Sequence, residues 1–130
     1  MRVSLLALPL LLLLRLNMSP SVPCGVYLCL PLPAQLTPGM YVTFSAPEPY
    51  ASLLPSRLPL VKRLRSVPGM TWTPAYGGLL EEGENGVQPI LVREGQVIVE
   101  GDHPRSLDSR YMGPIPRQAL RWRLIPLFTW

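Results

Sequence analysis

The first segment with a chemical signature is the run SPSVP at residues 19–23, which contains Ser21. Proline fixes its own backbone angle and restricts the residue before it, so a serine flanked by two prolines has little conformational freedom. A hydroxyl held in this way can act as a nucleophile when a base lies beside it. An ordinary Ser-Pro turn has the same pattern, and this segment alone does not decide between the two.

The second segment contains Lys62, the only lysine of the chain. Its neighbours Leu60, Val61 and Leu64 are apolar, which predicts that the amine is partly removed from water. Burial disfavours the ammonium form and lowers a lysine pKa, so a buried lysine can act as a general base without a histidine. The alternative is a surface lysine whose stem packs on apolar neighbours while its amine stays in water.

The third segment, GDHPRSLDSRYMG at residues 101–113, concentrates hydroxyl and charged groups. An ion pair between Asp108 and Arg110 would hold this loop, and the Ser106 hydroxyl can hydrogen-bond a nearby amine. Together the three segments offer a nucleophile, a base and an orienting group, which are the parts of a serine hydrolase site. His103, the only histidine, is interpreted as a structural loop residue rather than a second base.

The elements that must position these residues are predicted to be β-strands. Prolines and glycines separate short runs rich in apolar, β-branched and aromatic residues, which predicts an all-β domain of six or more strands. The predicted strands are residues 25–30, 40–45, 60–67, 90–92, 96–99 and 120–124. The fourth and fifth of these flank a three-residue turn, which predicts a β-hairpin.

An apolar run occupies residues 3–14, between Arg2 and Arg15. It is shorter than the roughly 20 residues of a membrane-spanning helix and has the length of a signal-peptide core, yet no small-residue cleavage site follows it. We therefore expect residues 1–16 to form a short hydrophobic helix that is an uncleaved or truncated membrane anchor, or a signal-like segment. Residues 17–130 are then expected outside the cytoplasm. The alternative is a buried core helix.

Composition argues against several classes of function. The net charge of +4 comes from dispersed arginines without a basic stripe, which argues against nucleic-acid binding. One histidine and two cysteines without metal-ligand spacing argue against zinc, and no metal or organic cofactor is predicted. Cys24 and Cys29 are expected to be half-buried thiols; a disulfide between them is the alternative, and it would need an intervening turn.

In their order along the chain, the three segments resemble the bacterial type I signal peptidase family. The matching patterns are SxSxP at 19–23, VKRxxxxPG at 61–69 and GDxxxSxDSRYxG at 101–113. The stretches SPSVPCGVY and GDHPRSLDSRYMGPIP and the terminal PLFTW are similar to the conjugative-transfer branch, the TraF-type peptidases. The resemblance covers nearly all of residues 15–130 and implies a signal-peptidase-like β domain.

The resemblance also implies a role for each matched residue. Ser21 is expected to be the nucleophile and Lys62 its general base. The Ser19 hydroxyl is expected to bind the oxyanion together with the Ser21 N–H, and Ser106 to orient the lysine amine. The remaining matched residues are expected to be structural supports: Arg63, Asp108 and Arg110.

Three features depart from the family pattern. Met70 stands after Pro-Gly where the family usually has aspartate, and this change is expected to loosen the loop. The cysteine-containing insert of the transfer branch is missing between Pro49 and Pro59, and the anchor is short. None of these changes removes a catalytic atom.

The expected function is that of a membrane-bound serine endopeptidase that processes exported precursors. The resemblance implies a conjugative pilin or another transfer-apparatus protein as substrate. It also implies a bacterial inner-membrane location with residues 17–130 on the periplasmic side. The alternative is a catalytically inactive envelope module that keeps the β fold for binding or assembly.

Overall fold

The computed structural model describes residues 13–54, 59–73, 89–103 and 105–130. These residues form a mostly antiparallel β structure, so the predicted all-β class is confirmed. The strands are β1 (Leu14–Asn17), β2 (Gly25–Leu30), β3 (Tyr41–Phe44), β4 (Leu60–Ser66), β5 (Thr71–Trp72), β6 (Ile90–Leu91), β7 (Gln96–Glu100), β8 (Ile115–Pro116) and β9 (Leu120–Thr129). The helical elements are the four-residue α1 (Ser109–Met112) and the 3₁₀-helices η1 (Tyr50–Leu53) and η2 (Arg117–Ala119).

The N-terminal end of the described structure is a strand. β1 begins at Leu14, inside the predicted anchor segment, and pairs with β2 as far as Asn17 opposite Gly25. Most of the predicted hydrophobic helix falls on residues 1–12, which lie outside the described residues. The described part of the chain contains no helix with the length and apolar character needed to cross a membrane.

Seven strands form one sheet in the order β1-β2-β9-β3-β4-β7-β8, and β5 and β6 pair in a second, two-stranded sheet. Every strand pair is antiparallel. The order places β4, the strand that carries Lys62, between β3 and β7. β7 ends at Glu100 and leads into the loop before α1, so the second and third candidate segments start from neighbouring strands.

β4 contributes to two separate apolar clusters. Leu64 packs in the main cluster with Val42 and Phe44, while Val61 packs in a smaller one with Tyr27. Successive side chains of a strand point to opposite faces, so β4 is covered on both sides. Burial of one such side chain stabilises the fold by roughly 1.5–3 kcal/mol, which makes β4 a rigid support for the residue between these two.

β9 crosses the middle of the sheet between β2 and β3. The register shifts opposite Thr43 and Phe44, so Leu120 packs in the main cluster and Leu124 in the smaller one. An unbroken strand would have placed these two residues on the same face. Trp122, which the alternating pattern grouped with them, is 45% exposed.

The predicted hairpin between residues 90–92 and 96–99 is wrong. The turn exists, with the Gln96 N–H donating to the Arg93 carbonyl at 3.1 Å, but its two arms pair with other strands. β6 pairs with β5, while β7 pairs with β4 and β8. The physical reason is burial, because Val97 and Val99 are fully buried in the main cluster, where β4 and β8 supply their neighbours.

Both cysteines are free and half-buried, as the composition favoured. Cys29 lies on β2, and burial raises the pKa of its thiol while the nearby Arg15 opposes this shift. A raised thiol pKa disfavours the reactive thiolate.

Candidate active site

Ser21 lies on the loop that connects β1 with β2. Two hydrogen bonds close the base of this loop: the Tyr27 hydroxyl donates to the Pro23 carbonyl, and the Trp130 N–H donates to the Cys24 carbonyl at 3.0 Å. Val22 is 1% exposed and anchors the loop in the smaller apolar cluster. Ser21 itself is half-buried, so its loop is anchored in the fold while part of the residue remains accessible to solvent.

Lys62 reaches Ser21 from the middle of β4. Its residue is 3% exposed, and its Nζ lies 2.8 Å from Ser21 Oγ. On the strand, Lys62 is paired with Val42, and Leu60 and Leu64 share its face by alternation. The Lys62 amine thus lies at the Ser21 loop, while the aliphatic part of its side chain lies between apolar residues. The alternative of a surface lysine does not hold in this structure.

Burial lowers the pKa of Lys62 from its ordinary 10.5 to about 8. Two buried neighbours act in opposite directions on that pKa: the Asp108 charge raises it and the Arg110 charge lowers it. Desolvation is the largest of these effects, since an ammonium group loses its hydration when it is taken into a low-dielectric site. A lysine with such a pKa has a usable neutral fraction close to neutral pH.

Ser106 completes the surroundings of the nucleophile from the loop that follows β7. It is 6% exposed, and its hydroxyl donates to Ser21 Oγ at 3.1 Å. The family resemblance implied a contact between Ser106 and the lysine amine. Here the hydrogen bond goes to Ser21, on which the Lys62 amine also converges.

Ser19 contacts the hydroxyl and the backbone N–H of Ser21. Its hydroxyl lies 3.2 Å from Ser21 Oγ and accepts from the Ser21 N–H at 3.4 Å. The two groups expected to bind an oxyanion therefore face each other across a short gap. A carbonyl oxygen placed there would replace the Ser19 oxygen as the acceptor of the Ser21 N–H.

Asp108 and Arg110 shape the loop that carries Ser106. Asp108 is fully buried, caps α1 by accepting from the Arg110 N–H at 2.9 Å, and also accepts from the Gly101 N–H at 2.8 Å. The Arg110 guanidinium lies 2.6 Å from the Asp108 carboxylate and donates to the His103 carbonyl at 2.8 Å. The ion pair thus ties both ends of the loop together.

Gly101 is the point where the two loops touch. A Cβ atom at this position would collide with the Ser106 hydroxyl and lie 2.7 Å from Ser106 Cβ and 3.1 Å from the Ser21 carbonyl oxygen. Real Cβ atoms essentially never approach another heavy atom more closely than 3.0 Å, so only glycine allows this contact. The adjacent Asp102 N–H donates to the Ser21 carbonyl and joins the loops directly.

Arg63 follows Lys62 on β4 and supports the same loop from the other side. Its guanidinium bonds the Asp102 carboxylate at 3.2 Å and the Tyr41 hydroxyl at 2.9 Å, and it lies 4.7 Å from the centre of the Tyr41 ring. The Arg63 and Asp102 side chains are 39% and 42% exposed, so water screens this ion pair and it adds little stability.

Two sequence expectations concern residues at the margin of the site. His103 is exposed, and its ring accepts from the Arg105 N–H at 3.0 Å, which is a contact within its own loop. Met70 is 40% exposed, and its backbone stays in the turn through a hydrogen bond from its N–H to the Val67 carbonyl at 3.1 Å. The backbone of this turn is hydrogen-bonded although the usual aspartate is replaced.

Asn17 was missed as a functional residue in the sequence. It is 5% exposed, and its side chain hydrogen-bonds the backbone of the loop that carries Ser21. A polar residue that ends an apolar run just before a proline-restrained loop was the available signal.

The chemical character of the site is that of hydroxyls around one amine. In the part of the chain that the structure describes, no group of three or more His, Cys, Asp or Glu side chains is arranged to hold a metal ion. The arrangement instead places the Ser21 hydroxyl beside the buried Lys62 amine and the hydroxyls of Ser19 and Ser106, which could serve as nucleophile, base and hydrogen-bond donors.

Comparison of the chain with protein-family models, with curated proteins and with solved structures found no match. The family resemblance therefore depends on the three sequence motifs, and the function must be argued from the site.

Proposed function

We propose that this chain is a serine endopeptidase of the signal peptidase type, with Ser21 as nucleophile and Lys62 as general base. The observation that carries the proposal is the 2.8 Å distance between Lys62 Nζ and Ser21 Oγ, with the lysine 3% exposed. A surface lysine would be charged near pH 7 and could not accept a proton, whereas a buried one can.

The proposed reaction begins when neutral Lys62 takes the proton of Ser21 as Ser21 Oγ attacks the scissile carbonyl carbon. The negative oxygen that forms accepts hydrogen bonds from the Ser21 N–H and the Ser19 hydroxyl. Protonated Lys62 then gives its proton to the departing amine, which leaves an ester on Ser21. Lys62 next removes a proton from water, the resulting hydroxide attacks the ester, and Ser21 regains its proton as the acid leaves.

The proposed location at a membrane surface is supported by exposed apolar side chains next to the N-terminal segment. Leu16 and Phe128 are both paired with Val26 across three strands and are 60% and 65% exposed. Met18 and Trp130 extend this surface with 66% and 61% exposure. Aromatic and aliphatic side chains in such a patch favour the boundary between lipid and water.

The substrate is proposed to be an exported precursor protein, in particular a conjugative pilin or a transfer-apparatus protein. This narrower proposal follows the similarity of the proline-rich and terminal segments to the TraF-type peptidases. The bacterial inner membrane, with residues 17–130 on the periplasmic side, is the corresponding location.

The test is co-expression of the chain with candidate envelope precursors, followed by mass spectrometry of the products. Wild type is expected to cleave, while Ser21→Ala and Lys62→Ala are not. Ser52→Ala is the matched control. Ser52 is an exposed serine of η1, outside the site, and its hydroxyl donates to the Glu48 carboxylate. Equal processing by wild type and both site variants would refute the dyad. Binding of a precursor without cleavage would favour the inactive envelope module.

A further inference from the structure

Asn17 ends β1 immediately before the loop that carries the nucleophile. The two hydrogens of its amide nitrogen are shared among three backbone carbonyls of that loop, which lie 2.9 Å (Ser19), 3.3 Å (Val22) and 3.2 Å (Pro23) from the nitrogen. Its amide oxygen accepts from the Ser19 N–H at 3.3 Å. One buried side chain thus holds the backbone on both sides of Ser21.

The loop depends on this side chain because it has few donors of its own. Pro20 and Pro23 have no N–H, and the carbonyls of a turn inside a folded domain require partners. An asparagine amide offers two hydrogens and an acceptor on one short side chain, a combination that aspartate, serine and alanine lack. Asn17 is the partner of the Ser19 and Val22 carbonyls, while the Pro23 carbonyl also accepts from the Tyr27 hydroxyl and the Ser21 carbonyl accepts from the Asp102 N–H.

The same contacts fix the group expected to bind the oxyanion. Both backbone polar atoms of Ser19 are bonded to Asn17, and the Ser19 hydroxyl lies within 3.4 Å of the Ser21 N–H. A shift of about 1 Å in such a donor can reduce the rate of a chemical step about 100-fold. Errors in the placement of Ser19 would therefore affect the transition state more than the binding of substrate.

We propose that Asn17 is a positioning residue that sets the geometry of Ser19, and through it the oxyanion site, for catalysis. The proposal rests on the proposed peptidase function. Asn17 does not touch the reacting atoms; it acts through the loop backbone. Its removal is expected to lower kcat roughly 10- to 100-fold with KM little changed, because the substrate-binding surface stays in place.

The experiment measures cleavage of an identified substrate by Asn17→Ala, Ser19→Ala and the double variant, with Gln118→Ala as an exposed amide control. Wild type must cleave and Ser21→Ala must not, which tests the proposed function separately. If Asn17 acts by placing Ser19, its replacement costs at least 10-fold in kcat with Ser19 present. It then costs less than about 3-fold in the Ser19→Ala background.

Asn17→Asp provides a second variant in case Asn17→Ala does not fold. It keeps the shape and an acceptor for the Ser19 N–H but loses the donors to the three carbonyls, so kcat is expected to fall as in Asn17→Ala. Equal losses of kcat in both Ser19 backgrounds, or a loss confined to KM, would overturn the proposal. Failure of both Asn17 variants to fold would also overturn it, since Asn17 would then hold the domain rather than the loop.

Discussion

At the scale of single residues, Ser21 Oγ has three polar neighbours. Its oxygen can accept hydrogen bonds from only two of them. Lys62 Nζ, Ser106 Oγ and Ser19 Oγ lie 2.8, 3.1 and 3.2 Å away. A hydroxyl has two acceptor lone pairs and one hydrogen, so all three contacts are satisfied when Ser21 donates to one neighbour. In the proposed mechanism this neighbour is the neutral Lys62 amine, which is the most basic of the three groups.

The pKa of Lys62 can be measured directly, because the chain has no other lysine. Lysine labelled with ¹³C at Cε should give one side-chain resonance that titrates with a midpoint near pH 8. Cleavage should rise with pH through the same midpoint, since the base is active when neutral. His103→Ala should leave the profile unchanged. A midpoint near 10.5 would mean that the amine is in water and would contradict the proposed role.

Lys62 is also expected to lower the stability of the fold. Folding lowers its pKa, so the unfolded chain binds the proton more tightly. The penalty is complete below pH 8, declines between pH 8 and 10.5, and is absent above that range. Lys62→Met should abolish cleavage and raise the free energy of unfolding at pH 7 by up to about 3 kcal/mol.

Urea denaturation of wild type and Lys62→Met at several pH values measures this difference. The gain in unfolding free energy should shrink as the pH rises from 8 to 10.5. Leu60→Met, on the same face of β4, is the control for the shape of the new side chain. A gain that does not change with pH would show that packing, rather than desolvation of the amine, is responsible.

The residues of the site were predicted from motif order and family resemblance, and local pattern alone would not have found them. Ser21 and Lys62 are 41 positions apart, and Ser21 and Ser106 are 85 apart. No rule of spacing along a chain indicates that such residues meet. Asn17 was missed because its role depends on which carbonyls of a distorted loop lack partners, and this is known only from the folded backbone.

At the scale of elements, α1 is too short to be stable by itself and depends on its cap. Its four residues make one turn, and Asp108 accepts both from the helix N–H at Arg110 and from the N–H of Gly101. A single turn of helix does not form without tertiary support, since nucleation is unfavourable. The buried carboxylate supplies that support and sets the path of the loop around Ser106.

Replacement of Asp108 by asparagine should therefore destabilise the domain strongly. Among the described residues, the change leaves the buried charge of Arg110 with one carboxylate partner, Glu100, at 3.9 Å. Loss of one partner from a buried ion pair typically costs roughly 3–5 kcal/mol. Asp102→Asn is the matched control, because its pair with Arg63 is exposed and should cost less than about 1 kcal/mol. Urea denaturation measures both, and equal costs would contradict the structural role of Asp108.

The positions of the strands were predicted better than their pairing. Strand bounds follow from apolar runs that end at turn residues, whereas pairing depends on which strands meet in the fold. β2 has the predicted bounds, and β3 and β4 lie inside their predicted ranges. β1 was not predicted, because its short alternation of apolar and polar residues, Leu-Arg-Leu-Asn, follows directly on the leucine run that was assigned to a helix. The hairpin was wrong since a turn of the right length does not determine which strands its arms join.

At the scale of the whole molecule, Lys62 and the exposed apolar side chains lie in different parts of the main sheet. β4 and β7 hold the lysine and the loop of Ser106 near one edge, while β1, β2 and the end of β9 present exposed apolar side chains near the other. Ser21 stands on the loop between β1 and β2, and its Oγ lies 2.8 Å from Nζ of Lys62 on β4, so this loop connects the two regions. This arrangement is compatible with the proposed peptidase, in which Ser21 attacks a substrate close to a lipid surface.

The exposed apolar surface is expected to bind lipid. A Phe128→Ser, Trp130→Ser double variant should sediment with anionic phospholipid vesicles about tenfold less than wild type, because two exposed aromatic side chains no longer enter the interface. Leu91→Ser is the control, since Leu91 is 57% exposed but lies on β6 in the second sheet. Equal loss in both variants, or none in the first, would contradict membrane binding through this surface.

The absence of a side chain at Gly101 limits which positions of this loop can change in sequence. The space at Gly101 is bounded by the Ser106 side chain and the Ser21 carbonyl, and one added methyl group would push these two apart. Beyond that point Asp102, His103 and Arg105 are exposed. Gly101 cannot be replaced without moving Ser106, whereas the exposed residues that follow it can change. If the proposed peptidase function holds, substrate preference can therefore change at these exposed residues while the spacing of Ser21 and Ser106 is kept.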